Sequence, residues 1–242
     1  MDITKIKLIA MDLDGTLTQH KEQLDEAHRV ALNALSQKYK LLMVGAGQVN
    51  RIFNQMNKYP IDIIGNYGLQ YATYNKETGK LDIRRDLRFE AERDEIEKRV
   101  TYFREKYGFT SFSGDSVEYH ASGCVTFAIL GTKAIQADKL AFDPDRKKRR
   151  AIYNEVCDAF EAYNVFVGGS SSFDMSPKPY NKRYALELYC AEHGISHDEV
   201  VYIGDDYGTG GNDECVYKAD FNYLTIDDYR DFPRIIEPLL RD

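Results

Sequence analysis

The sequence has 242 residues, a formal net charge of −7 at pH 7 and a hydrophobic fraction of 43%. This length allows one large or two small domains, and the acidic balance argues against a nucleic-acid backbone as a partner. No run of about 18 apolar residues is present, so no membrane span is expected, and the N-terminus lacks the apolar region of a signal peptide. Four scattered cysteines without a metal-like spacing favour a reduced, cytoplasmic compartment.

Two carboxylates follow the first apolar segment of the chain. Residues 6–11 are predicted to form a buried strand of a parallel sheet, and the sequence DLDGTLT follows it at residues 12–18. Asp12 and Asp14 therefore lie at the carboxyl end of a strand, where ligands bind in open α/β sheets, and Gly15 allows a sharp turn there. Two acids at such a place repel each other unless a cation lies between them, and hard oxygen ligands favour Mg²⁺.

Helical and strand patterns alternate through the next segment. Helices are predicted over residues 22–38 and from Val49 through Met56, and strands over residues 41–44 and 60–64. This β-α-β-α-β order is typical of a doubly wound α/β sheet.

The turn GAGQ at residues 45–48 connects the second strand to its helix. Backbone N–H groups in such a turn form an anion cradle, which makes Gly45 and Gly47 candidate phosphate-binding residues. A tight βα turn without a ligand is the alternative interpretation.

The pattern changes after about residue 82. Helices are predicted over residues 89–107 and 146–162. Strands are predicted over residues 116–121, 124–130, 165–167 and 172–175, the first two joined as a hairpin around Ser122 and Gly123. This mixture predicts an α+β insert over residues 82–180. Residues 1–81 and 181–242 are then the two parts of one discontinuous core domain.

The βαβ order resumes at Asn181, which is a predicted helix N-cap. Lys182 follows in the first turn of a helix that extends to about residue 193. A lysine in the first turn opposes the usual preference of the helix dipole, so the pattern suggests a function for Lys182.

The last predicted strands again end in polar residues. A strand over residues 199–203 leads to Gly204 and Asp205, and a glycine-rich loop then leads to Asn212, which is predicted to cap the next helix. A strand over residues 219–225 and a helix near residues 227–240 complete the core.

The order DxDGTLT, lone lysine, GDD and GGND resembles the motifs of the haloacid dehalogenase (HAD) superfamily. The resemblance implies a Rossmann-like core with an inserted cap domain. It also implies that Asp12 is the nucleophile that accepts a phosphoryl group and that Asp14 is the general acid/base. Lys182 would then neutralise the charge of the nucleophile and of the phosphoryl oxygens.

The same resemblance implies a Mg²⁺ site. Its ligands would be Asp12, the backbone carbonyl of Asp14 and Asp205, with Asn212 and Asp213 supporting the metal, the water and the lysine. One departure from the family lies in the second motif, where HAD enzymes usually carry a Ser or Thr hydroxyl. Residues 45–47 contain neither.

Several stretches resemble the eukaryotic-type phosphomannomutase branch of this superfamily. These are the wide spacing GDDYGTGGND, the segment GGSSSFDMSPKPYNKRYAL and the segment VEYHASG. The position of the insert between the second and third motifs matches an α/β cap, and Ser172 and Asp174 match cap residues that hold the sugar. The arginines that bind the far phosphate in that branch are replaced by Ser113, His120 and Thr132, with Lys133 adjacent.

The first functional expectation is a Mg²⁺-dependent phosphatase that acts on a small phosphorylated metabolite, with a sugar phosphate as the expected substrate. The first alternative is a hexose-phosphate mutase in which His120, Lys133 and Lys178 contact phosphate instead of arginine. A non-catalytic ligand-binding protein is the second alternative, and the retained pair of repelling carboxylates counts against it. Whether the chain forms a homodimer is left open by the sequence.

Overall fold

The computed structural model describes residues 1–241. The chain begins with β1 (Leu8–Met11), α1 (Glu26–Ser36), β2 (Lys40–Val44), α2 (Val49–Gln55), β3 (Asp62–Gly65), β4 (Gln70–Asn75) and β5 (Lys80–Asp86). It continues with α3 (Arg93–Tyr107), β6 (Val117–Tyr119), β7 (Val125–Ala128), α4 (Gln136–Phe142), α5 (Lys147–Ala159), β8 (Tyr163–Phe166) and β9 (Ser172–Pro177). The last elements are α6 (Lys182–His193), β10 (Val200–Gly204), α7 (Glu214–Tyr217), β11 (Asn222–Thr225), α8 (Phe232–Ile235) and α9 (Glu237–Leu240).

These elements form two compact units. The first unit contains residues 1–86, 181–208 and 213 onward, and the second contains residues 87–180 with 209–212. The first unit continues through β5 to Asp86, whereas the sequence pattern placed the end of the core at residue 81. The reason is that β5 pairs with β4 along its length, from Asn75 opposite Lys80 to Gln70 opposite Asp86.

The first unit is built on a seven-stranded sheet of order β11-β10-β1-β2-β3-β4-β5. The strands from β11 to β3 are parallel, and β4 and β5 are antiparallel to their neighbours. Apolar side chains of α1, α2 and the C-terminal helices pack on one face, and those of α6 and α7 pack on the other. The doubly wound α/β fold predicted from the alternating patterns is therefore confirmed.

The central strand β1 lies between β10 and β2, with Met11 opposite both Ile203 and Met43. Because the three strands are parallel, their carboxyl ends meet at one edge of the sheet. The connection from β1 to β2 runs through α1 on one face of the sheet, and that from β10 to β11 runs through α7 on the other, which creates a crevice at that edge. Residues that directly follow β1, β2 and β10 are thereby brought together.

The second unit contains an antiparallel sheet of order β6-β7-β9-β8. Helices α3 and α5 pack against it around buried rings that include Phe103, Phe127, Phe160 and Phe173. This agrees with the predicted α+β character. Helix α4 was not predicted, because it buries no side chain and so carries no apolar stripe.

The C-terminal helix predicted near residues 227–240 is broken into shorter pieces. A 3₁₀ turn at Tyr229–Asp231 precedes α8, and α9 starts a new helix after it. Each of these two helices has a proline in its first turn, Pro233 and Pro238. Proline lacks an N–H donor and favours the start of a helix over its interior, which explains the interruption. Among the described residues, no helix combines the length and apolar character needed to cross a bilayer.

Candidate active site

The predicted nucleophile lies at the carboxyl end of the central strand. Asp12 directly follows β1, and its backbone N–H donates to the carbonyl of Ile203 at 3.0 Å. Lys182 begins α6, where the side chain of Asn181 accepts a hydrogen bond from the N–H of Tyr184 and so confirms the predicted N-cap. The helix start is fixed by this cap, and the lysine directly follows it.

Lys182 is completely buried and lies between two carboxylates. Its Nζ is 2.9 Å from Oδ1 of Asp12 and 2.8 Å from Oδ1 of Asp213. A buried ammonium without partners would be strongly unfavourable, so these two contacts hold its charge in place. The structure therefore brings the lysine of the third motif into contact with the first.

Asp12, Asp205 and Asp213 form a compact acidic group. One oxygen atom from each lies within 4.8 Å of the other two. Thr16 Oγ1 donates to Oδ1 of Asp205 at 2.9 Å. Gly15 has φ of +96°, and a Cβ there would lie 2.3 Å from Oδ2 of Asp205, so only glycine lets this carboxylate approach the turn.

The acidic group perturbs its own protonation. Burial raises the pKa of Asp12 well above its usual value; the charge of Lys182 opposes this shift, and those of Asp213 and Asp205 add to it. Burial, together with the charge of Asp213, raises the pKa of Asp205 to about 6. For Lys182, burial lowers the pKa, but the charges of Asp12 and Asp213 outweigh it and raise the pKa overall.

This donor set fits a hard divalent cation. Carboxylate oxygens are the ligands that Mg²⁺ prefers, and one lysine does not balance the charge of three clustered acids, of which Asp12 and Asp213 are buried and Asp205 is partly buried. Both oxygens of Asp213 are already engaged, because Oδ1 accepts from Lys182 and from Tyr202 (2.6 Å) and Oδ2 accepts from the Asp206 N–H (3.1 Å). Asp12 and Asp205 are thus the carboxylates best placed for a metal, and Asp213 holds the lysine.

The side chain of Asp14 points to a different set of partners. Its Oδ1 accepts from Gln55 Nε2 at 2.6 Å and from the Lys21 N–H at 2.8 Å, and its Oδ2 lies 3.3 Å from Nη2 of Arg51. Burial alone would raise the pKa of Asp14, but these hydrogen bonds and the Arg51 charge lower it overall. Asp14 is therefore stabilised as a carboxylate, with its side chain outside the acidic group.

The glycine turn after β2 offers fewer backbone donors than its sequence suggested. The Gly45 N–H donates to the carbonyl of Ile64 at 2.9 Å, so it is committed to the sheet. The N–H of Val49, at the start of α2, donates to Oε1 of Gln70 at 3.1 Å. Phosphate binding by Gly45 and Gly47 stays a prediction, and the Gly45 N–H does not support it.

Asn212 does not cap the following helix as predicted. Helix α7 begins at Glu214, and Asp213 is the residue that precedes it, with its side chain turned to Lys182. Asn212 lies in the segment 209–212, which groups with the second unit, where the carbonyl of Gly210 accepts from the N–H of Val167 at 2.8 Å. Its supporting role at the metal stays a prediction.

Within the second unit, several of the predicted substrate-binding residues form one polar cluster. Asp174 Oδ1 accepts from Thr126 Oγ1 at 3.0 Å and from Ser172 Oγ at 3.3 Å, and His120 Nε2 lies 3.2 Å from the same threonine hydroxyl. Burial raises the pKa of Asp174. Lys178 is exposed and directly follows the end of β9.

Three residues near the site were not predicted from the sequence. Arg51 and Gln55 contact Asp14 from α2, and Tyr202 contacts Asp213 from β10. Arg51 and Gln55 stand four residues apart in the helix after the second motif, a spacing that places them on one face and could have revealed them as a pair. Tyr202 lies in the apolar pattern of a buried strand, and no sequence pattern distinguishes it from an ordinary core residue.

Comparison with known proteins agrees with this geometry. Residues 9–213 match the family model described as haloacid dehalogenase-like hydrolase. A phosphomannomutase of Solanum lycopersicum is 25% identical over 231 residues, covering 91% of this chain and 88% of the relative. A phosphomannomutase of Drosophila melanogaster is 24% identical over 222 residues, covering 87% of this chain and 86% of the relative.

Solved structures share the fold at lower identity. The IMP-bound IMP-nucleotidase of Plasmodium falciparum superposes with a TM-score of 0.66 at 15% identity, covering 97% of this chain and 68% of that one. SMU.1108c from Streptococcus mutans superposes with a TM-score of 0.63 at 17% identity, covering 97% of this chain and 99% of that one. With the acidic group and its buried lysine in the order of the family motifs, the chain belongs to the haloacid dehalogenase-like hydrolase family and is an enzyme of that superfamily.

Proposed function

We propose that this protein is a Mg²⁺-dependent phosphatase that acts on a small phosphorylated metabolite, with a sugar phosphate as the expected substrate. The observation that carries the proposal is the contact of the buried Lys182 Nζ with Oδ1 of Asp12, at 2.9 Å, inside a group of carboxylates. A nucleophile beside a fixed cation suits the attack on a phosphate ester, because the cation offsets charge on both the nucleophile and the phosphoryl oxygens.

In the first step, a carboxylate oxygen of Asp12 forms a bond to phosphorus while the bond from phosphorus to the leaving alcohol oxygen breaks. Lys182 stays within reach of the developing negative charge and needs no rearrangement. Asp14 donates a proton to the leaving oxygen, so the alcohol leaves neutral and Asp12 carries an acyl phosphate.

In the second step, Asp14 accepts a proton from a water molecule. The water oxygen bonds to phosphorus, the bond between phosphorus and the Asp12 oxygen breaks, and inorganic phosphate leaves. The resting contacts of Asp14 suit this base step, since they stabilise its carboxylate. Its acid step requires a proton, and therefore a loosening of the contacts with Arg51, Gln55 or the Lys21 N–H.

Asp12, Asp205 and the backbone carbonyl of Asp14 are the groups we assign to a Mg²⁺ ion. Bound there, the ion would lower the raised pKa values of the carboxylates and add positive charge opposite the phosphoryl oxygens. The rest of the chemistry falls to the chain's own groups. Lys182 offsets the negative charge of the nucleophile and the phosphoryl oxygens, and Asp14 transfers the proton. The match to sugar-binding residues assigns Ser172 and Asp174 to substrate binding.

A panel of phosphorylated metabolites, assayed for phosphate release with Mg²⁺ and again with excess EDTA, tests this function. We expect release from sugar phosphates with Mg²⁺ and its loss in chelator. Asp205→Ala should weaken activation by Mg²⁺ at least about 10- to 100-fold, because it removes a metal ligand. Full activity in excess chelator, or an unchanged Mg²⁺ requirement in Asp205→Ala, would contradict the metal assignment.

A hexose-phosphate mutase is the second candidate, favoured by the phosphomannomutases that the chain resembles along most of its length. Asp12, Asp14 and Lys182 serve either reaction, since the acceptor of the phosphoryl group is water in one and a sugar hydroxyl in the other. The positions of the cap arginines weigh against a mutase, because Ser113, His120 and Thr132 stand there.

A further inference from the structure

A second cation lies beside the glycine turn, and the proposed mechanism gives it no task. Arg51 projects from α2 with 44% of its side chain exposed. Its Nη2 and Nη1 lie 3.3 and 3.4 Å from Oδ2 of Asp14, and Nη1 donates to Oε1 of Gln55 at 2.7 Å. The guanidinium is thus oriented by the helix and by Asp14 and remains accessible to a ligand from solvent.

The guanidinium lies directly against Gly47. A Cβ built on this glycine would lie 2.2 Å from Nη2, 2.3 Å from Nε and 2.6 Å from Cζ of Arg51. Arg51 therefore fills the volume in which a side chain at position 47 would begin. This is the turn in which the sequence lacks the expected hydroxyl, so an N–H-rich group occupies the space that a Ser or Thr side chain would use.

The surrounding backbone makes such a donor useful. The N–H groups of Gly45 and Val49 already donate to Ile64 and to the Gln70 side chain. A phosphate at this turn would meet a reduced set of backbone donors. A guanidinium offers up to five N–H donors in a planar fork that matches two phosphate oxygens.

We propose that Arg51 binds the phosphoryl group of the substrate in place of the missing hydroxyl, an inference that rests on the phosphatase function proposed above. Asp14 is the counter-ion of Arg51 in the absence of substrate. Their contact is long and solvent-accessible, and such pairs contribute little, so a phosphate dianion can displace the carboxylate readily.

The exchange also affects Asp14 in a defined way. Its Oδ1 keeps the hydrogen bonds from Gln55 Nε2 and the Lys21 N–H, at 2.6 and 2.8 Å. Its Oδ2 loses Arg51 and becomes the oxygen that is available to exchange a proton with the leaving alcohol or with water. Arrival of the phosphate and release of the acid/base oxygen are then one event.

The test combines Arg51→Ala with Gly47→Ser. Binding of inorganic phosphate in the presence of Mg²⁺ is measured by titration calorimetry, with circular dichroism as a check of folding and Arg84→Ala, another exposed arginine of the same unit, as the matched control. Arg51→Ala should weaken phosphate binding roughly 10- to 150-fold, the equivalent of one charge-assisted hydrogen bond or pair. Arg84→Ala should bind phosphate as the parent does.

The double variant separates replacement of a hydroxyl from a general loss of charge. Gly47→Ser alone should weaken phosphate binding, since its Cβ would displace the guanidinium. In the Arg51→Ala background the same serine has room, and it should recover at least about tenfold of the lost affinity. If Arg51→Ala does not fold, Arg51→Lys replaces it; the lysine should bind phosphate more weakly than the parent because it lacks the planar fork.

Parent-like phosphate binding by Arg51→Ala, or by Arg51→Lys where the alanine variant does not fold, overturns the inference. A double variant no better than Arg51→Ala overturns the replacement of the hydroxyl. Calorimetry needs no turnover, so a protein that hydrolyses no phosphate ester yet binds phosphate through Arg51 would refute the proposed function and leave only the phosphate contact of Arg51 standing. A parent protein that binds no phosphate refutes the inference, whereas the phosphatase function is decided by the release of phosphate from the metabolite panel.

Discussion

At the scale of single residues, the site depends on the buried ammonium group of Lys182, which two carboxylates contact. Lys182 is held by Asp12 and Asp213, and Asp213 is held in turn by the Tyr202 hydroxyl and the Asp206 N–H. Removing one partner of a buried ion pair typically costs about 3–5 kcal/mol, because it leaves a charge uncompensated. Variants that keep the shape of the side chain are therefore the informative ones.

Asp12→Asn keeps the shape of the side chain and removes the proposed nucleophile. We expect phosphatase activity to fall at least about a thousand-fold, because an amide oxygen is a poor nucleophile toward phosphorus. The fold should persist, since the variant removes one of several repelling carboxylates. Activity is measured with an aryl phosphate, and Asp138→Asn on the exposed face of α4 is the control. Turnover near the parent rate in Asp12→Asn would falsify the assignment.

Tyr202→Phe tests the support of Asp213. The hydroxyl donates to Oδ1 of Asp213 at 2.6 Å. Its removal should raise the activation free energy by about 1–2 kcal/mol, because Lys182 is then held less firmly. This corresponds to a decrease in kcat of roughly 5- to 30-fold. Tyr39→Phe is the matched control, because it loses a hydroxyl bonded to the Leu239 carbonyl at 2.8 Å, outside the site. If Tyr202→Phe loses as much stability as Tyr39→Phe but keeps the kcat of the parent, Tyr202 acts only as a core residue.

Asp205 makes stability depend on pH. Its pKa is about 6 in the folded chain and 3.8 in the reference state, so the folded protein binds this proton more tightly than the unfolded one. In chelator, the free energy of unfolding relative to Asp205→Asn should be highest below about pH 4. It should fall by on the order of 3 kcal/mol as the pH rises through about 6.

Denaturant unfolding of the parent and of Asp205→Asn at several pH values in EDTA measures that difference. Saturating Mg²⁺ at pH 7 should restore stability to the parent and less so to the variant, since the ion binds the ionised carboxylate. A pH-independent difference between the two proteins would show that Asp205 is not perturbed as described.

At the scale of elements, neighbouring strands of the second unit assemble a polar cluster from residues that alternate with those of the apolar core. Thr126 in β7 lies opposite Asp174 in β9, and both hydroxyls that reach Asp174 donate to its Oδ1. Gly168 is close to the same carboxylate, where a Cβ would lie 1.9 Å from Oδ2. An acid kept in such surroundings suits the binding of ligand hydroxyls.

Asp174→Asn tests that task without changing the size of the side chain. The amide oxygen can still accept from Thr126 and Ser172, while its charge is lost. We expect KM for a sugar phosphate to rise about tenfold, the loss of a charge-assisted hydrogen bond, with little change for an aryl phosphate that has no sugar hydroxyls. A parallel loss with both substrates would instead mean that the residue acts on the fold or the chemical step.

At the scale of the whole molecule, the choice between a phosphatase and a mutase reaction depends on how tightly the protein binds a second phosphate of the substrate. A mutase must hold a bisphosphorylated intermediate while it turns around. The resemblance to phosphomannomutases implies that Ser113, His120 and Thr132 occupy the positions at which that branch binds the second phosphate with arginines. Each lost charge-assisted contact weakens the hold by about 1.5–3 kcal/mol, enough to let the intermediate escape.

We therefore expect inorganic phosphate to accumulate from mannose-1-phosphate or glucose-1-phosphate, with little 6-phosphate even when a bisphosphate activator is supplied. Phosphorus NMR follows both products in one sample with Mg²⁺. Thr132→Arg, which introduces an arginine at one of these positions, should slow the release of phosphate relative to interconversion of the two sugar phosphates. Accumulation of 6-phosphate faster than free phosphate in the parent would make the mutase the better description.

The sequence by itself determined the parts of this protein that depend on local order. Apolar strands that each end in an acidic residue or a glycine turn, at Asp12, Gly45 and Asp205, predicted the doubly wound core, because the period of the apolar residues and the turn signals are local. The order of the motifs identified the superfamily. It also singled out Lys182, which the fold then placed against Asp12.

Only the tertiary structure decided which side chains meet across the chain. The contacts of Asp14 with Arg51 and Gln55, and of Asp213 with Tyr202, join residues whose separation depends on strand order and register. Neither is encoded in a local pattern, because a strand register is set by the packing of a whole sheet. The division of one acidic motif between a lysine-bound Asp12 and an arginine-bound Asp14 is for that reason a property of the fold.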